Sequence, residues 1–452
     1  MGEDARKLAL QALRAVLLKN ALPKGTLEEL AQGLSRRDRA FLMELTYGVL
    51  RQKGLLDWLL SGFLKKKPGE STMFNLMCAA YQIFFMRVPE RAAVFESVRL
   101  EKERGGKPEL VNAVLRNLIR EKDSFKVKIE ELEKKAKETS LNEAERLKSI
   151  SLITSHPLWL VKRYAKRMGP DEALALALAN NKIPPLTLRV NTIKGEREKI
   201  LKLLKEKGLK ADPTDISPVG IKLHDGTSFL ELPYLYEVCT PQDEGAQLVT
   251  LVLDPRPGER ILDGCAAPGG KTTHIAEMMK DTGEIVAMDI DEGRMAKLHE
   301  NTSRLGLRSI KPVLSDLTHA DPLKWGLFDR VLIDAPCTSL GVIRRNPDVK
   351  WRHSEKDLPA FKGKQAELLK GGARLLKPGG ILVFSTCSTE PEEGEEVMEE
   401  FLKSKEGKDF IIEKPALPFL SPLIENAFLR TYPHRHDMDG FFSARLRHEK
   451  AD

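Results

Sequence analysis

Apolar residues in the first part of the chain recur with the 3.6-residue period of a helix. From Ala5 they fall at Leu8, Ala9, Ala12, Leu13, Val16 and Leu17, one stripe along a helix. Leu42, Leu45 and Val49, then Leu55, Leu56, Leu59, Leu60 and Phe63, carry the pattern onward. Residues 92–119 repeat it, interrupted by Gly105-Gly106-Lys107-Pro108, a break between helices. An all-α domain is therefore expected over 1–125. Residues 126–154 are dense in Lys and Glu and hold few large apolar residues, which predicts a charged helical linker.

The pattern changes near His156-Pro157-Leu158-Trp159. Leu186-Thr187-Leu188-Arg189-Val190 reads as a strand, and Ile200, Leu201, Leu203 and Leu204 form the apolar side of a following helix. Residues 155–235 are thus expected to form a small α/β module. From about Gly258, strand and helix patterns alternate. Strands are predicted at 260–262, 284–290, 311–315, 329–334 and 381–385. Helices are predicted at 292–305 and 365–376, the second stopped by Pro378-Gly379-Gly380. Such alternation implies a mostly parallel, doubly wound sheet over 236–452, with ligands at the carboxyl ends of its strands. A chain of 452 residues with three such patterns is multidomain.

The first of these strands runs into Asp263-Gly264-Cys265-Ala266-Ala267-Pro268-Gly269-Gly270-Lys271-Thr272, which opens a helix. Small residues let a ligand approach the backbone, and a helix start offers free N–H groups. Lys271 stands where the helix dipole disfavours a cation, so an anion is expected beside it. The segment is not a P-loop, since Cys265 stands where glycine is required, nor a dinucleotide fingerprint, since Ala266 does. A tight turn without ligand is the other reading of the segment taken alone. Asp289 ends the second strand and suits a ribose, and Asp316 ends the third and suits a base. Singly, each serves equally as a helix N-cap. Three acids at consecutive strand ends describe a nucleoside-bearing cofactor.

The fourth strand ends in Asp334-Ala335-Pro336-Cys337-Thr338-Ser339 and the fifth in Ser385-Thr386-Cys387-Ser388. A lone cysteine is usually a small buried hydrophobe. These two share one rim, which suits two thiols facing one substrate. A redox disulfide is the alternative, although no C-x-x-C supports it. Two thiols beside a cofactor site fit a definite chemical problem. Carbon 5 of cytosine is a poor nucleophile, and a thiolate adding at carbon 6 makes it enamine-like, dividing one hard step into easier ones. The carbon 5 proton must then leave and the adduct eliminate, which gives a second basic group a role. Asp334 is expected either to hold the ring's nitrogen or amino edge or to be a structural cap. The residues alone leave open which thiol attacks.

Composition narrows the partners. A net charge of +7 and a pI near 8.9 favour a polyanion, though the excess is modest for this length. His434, Arg435 and Arg344-Arg345 are candidate phosphate or base contacts, with ordinary solvated charges as the alternative. The hydrophobic share of 41% excludes general disorder. The five cysteines are odd in number and form no C-x-x-C, which argues against a disulfide framework or a zinc ribbon. No metal site is expected, and a reducing cytoplasm is. Met1-Gly2-Glu3-Asp4-Ala5-Arg6 lacks the apolar core of a signal peptide, and Arg6 fails the Ser/Thr position of a myristoylation signal. No apolar run is long enough to cross a membrane.

The segments CAAPGGKTTHI, AMDIDEGRM, DAPCTSLGVIRRNPDVKW, FSTCS and DGFFSARL resemble, in order and spacing, the motifs of the Sun/RsmB/NSUN family of RNA 5-methylcytosine methyltransferases. SHPLWLVKRY, PPLTLRVN and TPQDEGAQLV resemble that family's small RNA-binding subdomain and its junction to the catalytic domain. SRRDRAFLMELTYGVLRQKGLLDWLL and ELVNAVLRNLIRE are similar to the NusB-like domain of the RsmB branch. The resemblance spans nearly the whole chain. It implies a NusB-like RNA-binding domain over 1–125 and a Rossmann-like class I methyltransferase domain over 236–452. It implies S-adenosylmethionine held by Cys265, Ala266, Ala267, Pro268, Gly269, Gly270, Lys271, Asp289, Asp316 and Asp334. It also implies Cys387 as nucleophile and Cys337 as the residue aiding product release, with Asp334 and Lys271 in the catalytic group. Small-subunit (16S) ribosomal RNA is the implied substrate, and its target base must leave any helix to reach the thiolate. A monomer is expected. A nitrogen-directed enzyme would need Asn/Asp-Pro-Pro-aromatic where Asp334-Ala335-Pro336-Cys337 stands. A non-catalytic RNA-binding factor would need neither thiol.

Overall fold

The computed structural model describes residues 4–224, 226–415 and 417–449; Met1–Glu3 of the expected leaderless start lie outside them. The chain forms two compact units, Met1–Lys182 with Ile343–Glu355, and Ile183–Val342 with Lys356–Asp452.

The first unit is helical, and its helices begin where the sequence supplies caps. Asp4 accepts a hydrogen bond from Arg6 N and opens Ala5–Lys19; Ser35 accepts one from Asp38 N and opens Arg36–Ser61. Each cap satisfies an N–H that the first turn leaves without a partner. The apolar stripes are the buried faces, with Leu8, Leu13 and Val16 meeting Leu42, Leu45, Val49, Leu56 and Leu59 in one core. Burying a leucine contributes roughly 1.5–3 kcal/mol, so packing rather than propensity holds these helices. Gly105, at φ 69°, makes the expected break between Glu90–Glu103 and Pro108–Arg120. The charged segment is helical as expected, in two pieces, Lys122–Lys137 and Glu143–Ile153. It is not loose: Phe125 joins the core, and Leu147 and Ile150 are buried. Ile343–Glu355 also packs here, with Lys350 and the Trp351 indole donating to the backbone carbonyls of Arg51 and Leu50.

The second unit holds two sheets. β1 (Leu186–Val190), β2 (Ala211–Pro213), β3 (Gly220–Leu223) and β4 (Cys239–Pro241) are antiparallel in the order β2-β3-β1-β4, backed by the helix Arg197–Glu206. β4 lies beyond residue 235, and the kinked helix Leu158–Asn180 packs with the first unit.

The larger sheet comprises β5 (Arg260–Asp263), β6 (Glu284–Asp289), β7 (Ile310–Leu314), β8 (Phe328–Asp334), β9 (Leu376–Thr386), β10 (Phe410–Ile412), β11 (Ile424–Glu425), β12 (Phe428–Arg430) and β13 (Phe442–His448). The path β7-β6-β5-β8-β9 is parallel, and β13, β12 and β11 continue it antiparallel, with β10 on β13. The parallel strands are covered on both faces, which is why β6 and β8 read as nearly unbroken apolar runs. One expectation is corrected. Pro378-Gly379-Gly380 does not stop the preceding helix, which already ends at Arg374. The three residues lie inside β9, beside a register shift against β8 between Phe328 and Arg330. A proline without an N–H and Gly379 at φ 77° suit such an irregularity. Strand order reverses between β5 and β8, so Asp263 and Asp334 end the two strands that flank the ligand crevice of such sheets.

Candidate active site

β5 delivers Asp263 to the crevice, and the chain turns through Gly264–Gly269 into the helix Gly270–Met278. Gly264 has no room for a side chain, since a Cβ there would stand 2.5 Å from Leu317 Cδ2. The loop is tied down from outside: Ala267 N donates to Asp289 Oδ2 at 2.9 Å, and Thr272 Oγ1 donates to Asp263 Oδ2 at 2.7 Å. It walls a cavity of about 200 Å³, lined by Gln242, Ala246, Asp263, Cys265, Ala266, Ala267, Pro268, Gly270, Lys271 and Asp334. Asp263 is 1% exposed and its Oδ1 finds no hydrogen-bonding partner. Burial, aided by the charge of Asp334, pushes its carboxyl up to about 7. A buried acid with an unused oxygen on a cavity wall is a place for a cationic ligand.

The anion expected beside Lys271 is Asp334. Lys271 Nζ lies 2.6 Å from Asp334 Oδ2, and Ser385 Oγ donates to Oδ1 at 2.8 Å. Burial opposes the Lys271 charge, but Asp334 outweighs it and raises the ammonium above its ordinary value. The two thiols meet directly, with Cys337 Sγ 3.2 Å from Cys387 Sγ and both free. Backbone bonds hold their loops, from Ala335 N to Ser385 O at 2.8 Å and from Gly341 N to Cys387 O at 3.0 Å. The pair is electrostatically unequal. Cys387 is lowered by the hydrogen bond from Cys337, then, against the effects of burial and of the Asp334 charge, by Ser339 Oγ at 3.5 Å and the charge of Lys271. Cys337 is raised by that same bond, by burial and by nearby Glu393. Within the pair, ionisation is favoured at Cys387 and disfavoured at Cys337.

Of the expected cofactor residues, Cys265 through Pro268, Gly270, Lys271 and Asp334 line the cavity, while Asp289 and Asp316 do not. Asp289 is 4% exposed and accepts from the backbone of Ala267 and Asp291. Asp316 caps the turn Leu317–His319, accepting from Thr318 N at 2.9 Å and Thr318 Oγ1 at 2.7 Å. Arg344 is corrected: at 2% exposure its guanidinium is buried and is not an open phosphate contact. Arg345 and His434 are half-buried; Arg435 is exposed, paired with Glu425 at 2.9 Å and stacked over Tyr432. Sequence reasoning missed Arg189. Fully buried on β1, it forms a two-bond pair with Glu277, both at 2.8 Å, and reaches Gly270 O and Gln242 Oε1 of the cavity wall. The signal was a single arginine in an otherwise apolar strand. Among the described residues, no cluster of His, Cys, Asp and Glu could hold a metal, and no helix is long and apolar enough to cross a membrane.

Comparison with known proteins agrees with this arrangement. Residues 250–447 match the model of the 16S rRNA methyltransferase RsmB/F family, 3–120 the NusB family, and 156–229 the ferredoxin-like domain of RsmF/B-like methyltransferases. Ribosomal RNA small subunit methyltransferase B of Klebsiella pneumoniae is 35% identical over 456 residues, 98% of each chain. The chain belongs to the RsmB family. The crystal structure of PH0851 resembles it with a TM-score of 0.80 at 28% identity, covering 100% of this chain and 99% of that one. NSun6 from Pyrococcus horikoshii, solved with the S-adenosylmethionine analogue SFG, gives 0.57 at 25% identity, covering 65% and 99%. This RsmB-family chain thus joins a helical NusB domain, a ferredoxin-like domain and a Rossmann-like methyltransferase domain. Its family consists of S-adenosylmethionine-dependent ribosomal RNA methyltransferases. The cavity fits that cofactor, because the unused Asp263 oxygen offers a partner to a cationic ligand.

Proposed function

We propose that this RsmB-family enzyme methylates carbon 5 of a cytosine in small-subunit ribosomal RNA through a covalent adduct at carbon 6. The observation that carries the reading is the thiol pair, in contact at 3.2 Å, with Cys387 the thiol whose ionisation the Cys337 hydrogen bond and the Lys271 charge favour. S-adenosylmethionine, held by Cys265 through Lys271 with Asp263, Asp289, Asp316 and Asp334, supplies an electrophilic methyl group. The Cys387 thiolate adds to carbon 6, forming an S–C6 bond and moving electron density to carbon 5. Asp334, with 30% of its side chain exposed, faces the polar edge of the ring and favours that addition. Lys271, paired with Asp334, lowers the cost of the Cys387 thiolate. Once carbon 5 is methylated, its proton passes to a base, the S–C6 bond breaks, and its electron pair returns to Cys387. Cys337 is the group placed for this elimination. The first unit supplies RNA affinity and no chemistry.

The test uses 16S RNA, labelled cofactor and denaturing gels, with bisulfite sequencing to locate the methyl group. Cys387→Ala should form no adduct and transfer no methyl. Cys337→Ala should accumulate enzyme joined to methylated RNA. An adduct with Cys387→Ala and none with Cys337→Ala would make Cys337 the nucleophile, and a methyl group on any atom other than carbon 5 would end this reading.

A further inference from the structure

Glu393 takes no part in the steps above, yet it is fully buried near Cys337, in the turn Pro391–Glu393. Its Oε1 accepts from Thr338 N at 2.8 Å and from Gln365 Nε2 at 3.1 Å. Its Oε2 accepts from Thr338 Oγ1, and the Ser388 hydroxyl bonds to the same carboxylate. Gln365 Nε2 also donates to Pro336 O at 3.0 Å, and Thr386 Oγ1 donates to the backbone oxygen of Glu393 at 2.9 Å. Of the residues flanking the cysteines, Thr338, Thr386 and Ser388 are thus bonded to Glu393 itself, and Pro336 is joined to it through Gln365. Every one of these partners is neutral. A buried carboxylate without a cation is costly, and a fold held together by apolar packing has no need of one here.

We propose that Glu393 is a positioning residue that clamps the two thiol loops in contact and assigns the thiols unlike tasks. The inference rests on the reading that both cysteines act on one base. The geometric part follows from the four flanking residues, since loops at two different strand ends need a cross-brace to hold two sulfurs 3.2 Å apart. The electrical part follows from placement. Glu393 sits on the Cys337 side of the pair and Lys271 on the Cys387 side. A second negative charge is therefore disfavoured at Cys337 and favoured at Cys387. The donors to Glu393 suit its ionised form, which keeps that bias in place although burial raises its carboxyl.

The full-length protein is compared with Glu393→Gln, which keeps the volume and removes the charge, and with Thr338→Val, which removes one donor to the clamp. Iodoacetamide labelling of each cysteine is followed against pH by peptide mass, without RNA. Cross-linking of Cys337 to Cys387 by diamide reports their contact. In Glu393→Gln, Cys337 should label at lower pH, about tenfold faster at fixed pH for a one-unit shift. In both variants kcat should fall, roughly 10²-fold for a displacement of ~1 Å, with KM for S-adenosylmethionine unchanged. Both variants should cross-link more slowly. A folded Glu393→Gln protein with wild-type labelling and cross-linking overturns the proposal. If that variant does not fold, unchanged cross-linking and kcat in Thr338→Val does the same. The thiol readings need no substrate, so they stand or fall separately from the position of the methyl group.

Discussion

Each of the two units holds a lysine largely out of solvent, and on opposite terms. Lys271, at the rim of the larger sheet, lies 2.6 Å from Asp334 and is held above its ordinary pKa. Lys350, fully buried in the helical unit, donates to Arg51 O at 2.8 Å and Asn181 Oδ1 at 3.3 Å, and neither partner is a carboxylate. Burial, aided by the charge of Arg51, lowers it well below 10.5. One side chain type is thus held as a cation in one unit and pushed towards the neutral amine in the other. The difference shows what separates a functional charge from a packed one. Lys271 has an anion, a cavity wall and a thiol that its field favours as thiolate, whereas Lys350 has carbonyl oxygens that a neutral amine satisfies equally well.

The comparison sharpens if other buried charges obey it. Arg189 and Glu277 are 0% and 2% exposed and joined by two hydrogen bonds, so removing one partner leaves an uncompensated charge. Arg189→Met should therefore cost about 3–5 kcal/mol in the unfolding of the second unit, and should weaken S-adenosylmethionine because Arg189 also holds Gly270 O. Chemical denaturation and calorimetric titration measure the two effects. A loss below about 1 kcal/mol would show that this ionic pair contributes no more than a surface one. Asp334→Asn addresses Lys271 itself. Asp334 is partly open to solvent, so the expected cost is smaller, about 1.5–3 kcal/mol for a charged hydrogen bond. Deprived of its acid, Lys271 should come to resemble Lys350. Its folded pKa should fall, and labelling of Cys387 should shift to lower pH, because the Asp334 charge that disfavours the thiolate is gone while Lys271 remains beside it. An unchanged Cys387 profile in a folded Asp334→Asn protein would break the link between the pair and the thiol.

The same contrast explains what the sequence makes legible. Asp263, Asp289, Asp316 and Asp334 interrupt apolar strands at their carboxyl ends, so strand period and strand-end chemistry are visible in short windows. The cofactor loop and both thiols follow from that pattern, and the stripe of Leu8, Leu13 and Val16 follows from the helical one. The partners of Arg189, Glu393 and Lys350 are not visible by the same reasoning, because each meets residues far along the chain. Arg189 meets Glu277 across 88 positions, and Lys350 meets Arg51 across 299. Periodicity reports which face is buried and not what a lone charge on that face will meet. Asp316 shows the converse. Its strand-end position suggests a ligand, and only the fold reveals that it also caps a turn, accepting from Thr318 N and Oγ1, two residues on.

Lys350 gives the smallest and most discriminating effect. At pH values between its lowered folded pKa and the unfolded value near 10.5, the unfolded chain binds a proton at this site that the folded chain does not. Stability from this group therefore rises with pH across that window, by up to about 1.4 kcal/mol per unit, and falls as the solution is acidified. Lys271 behaves oppositely: its raised pKa contributes stability below the unfolded value and loses it as pH rises through the folded one. Lys350→Met removes both the proton linkage and two hydrogen bonds, so near neutral pH the net change should be within about 1 kcal/mol. The pH slope carries the information. Unfolding of the first unit, followed at several pH values between neutrality and pH 10, should steepen less with pH in Lys350→Met than in the wild type. Identical slopes would mean that Lys350 keeps its proton inside the fold, and the two buried lysines would then differ in surroundings but not in charge.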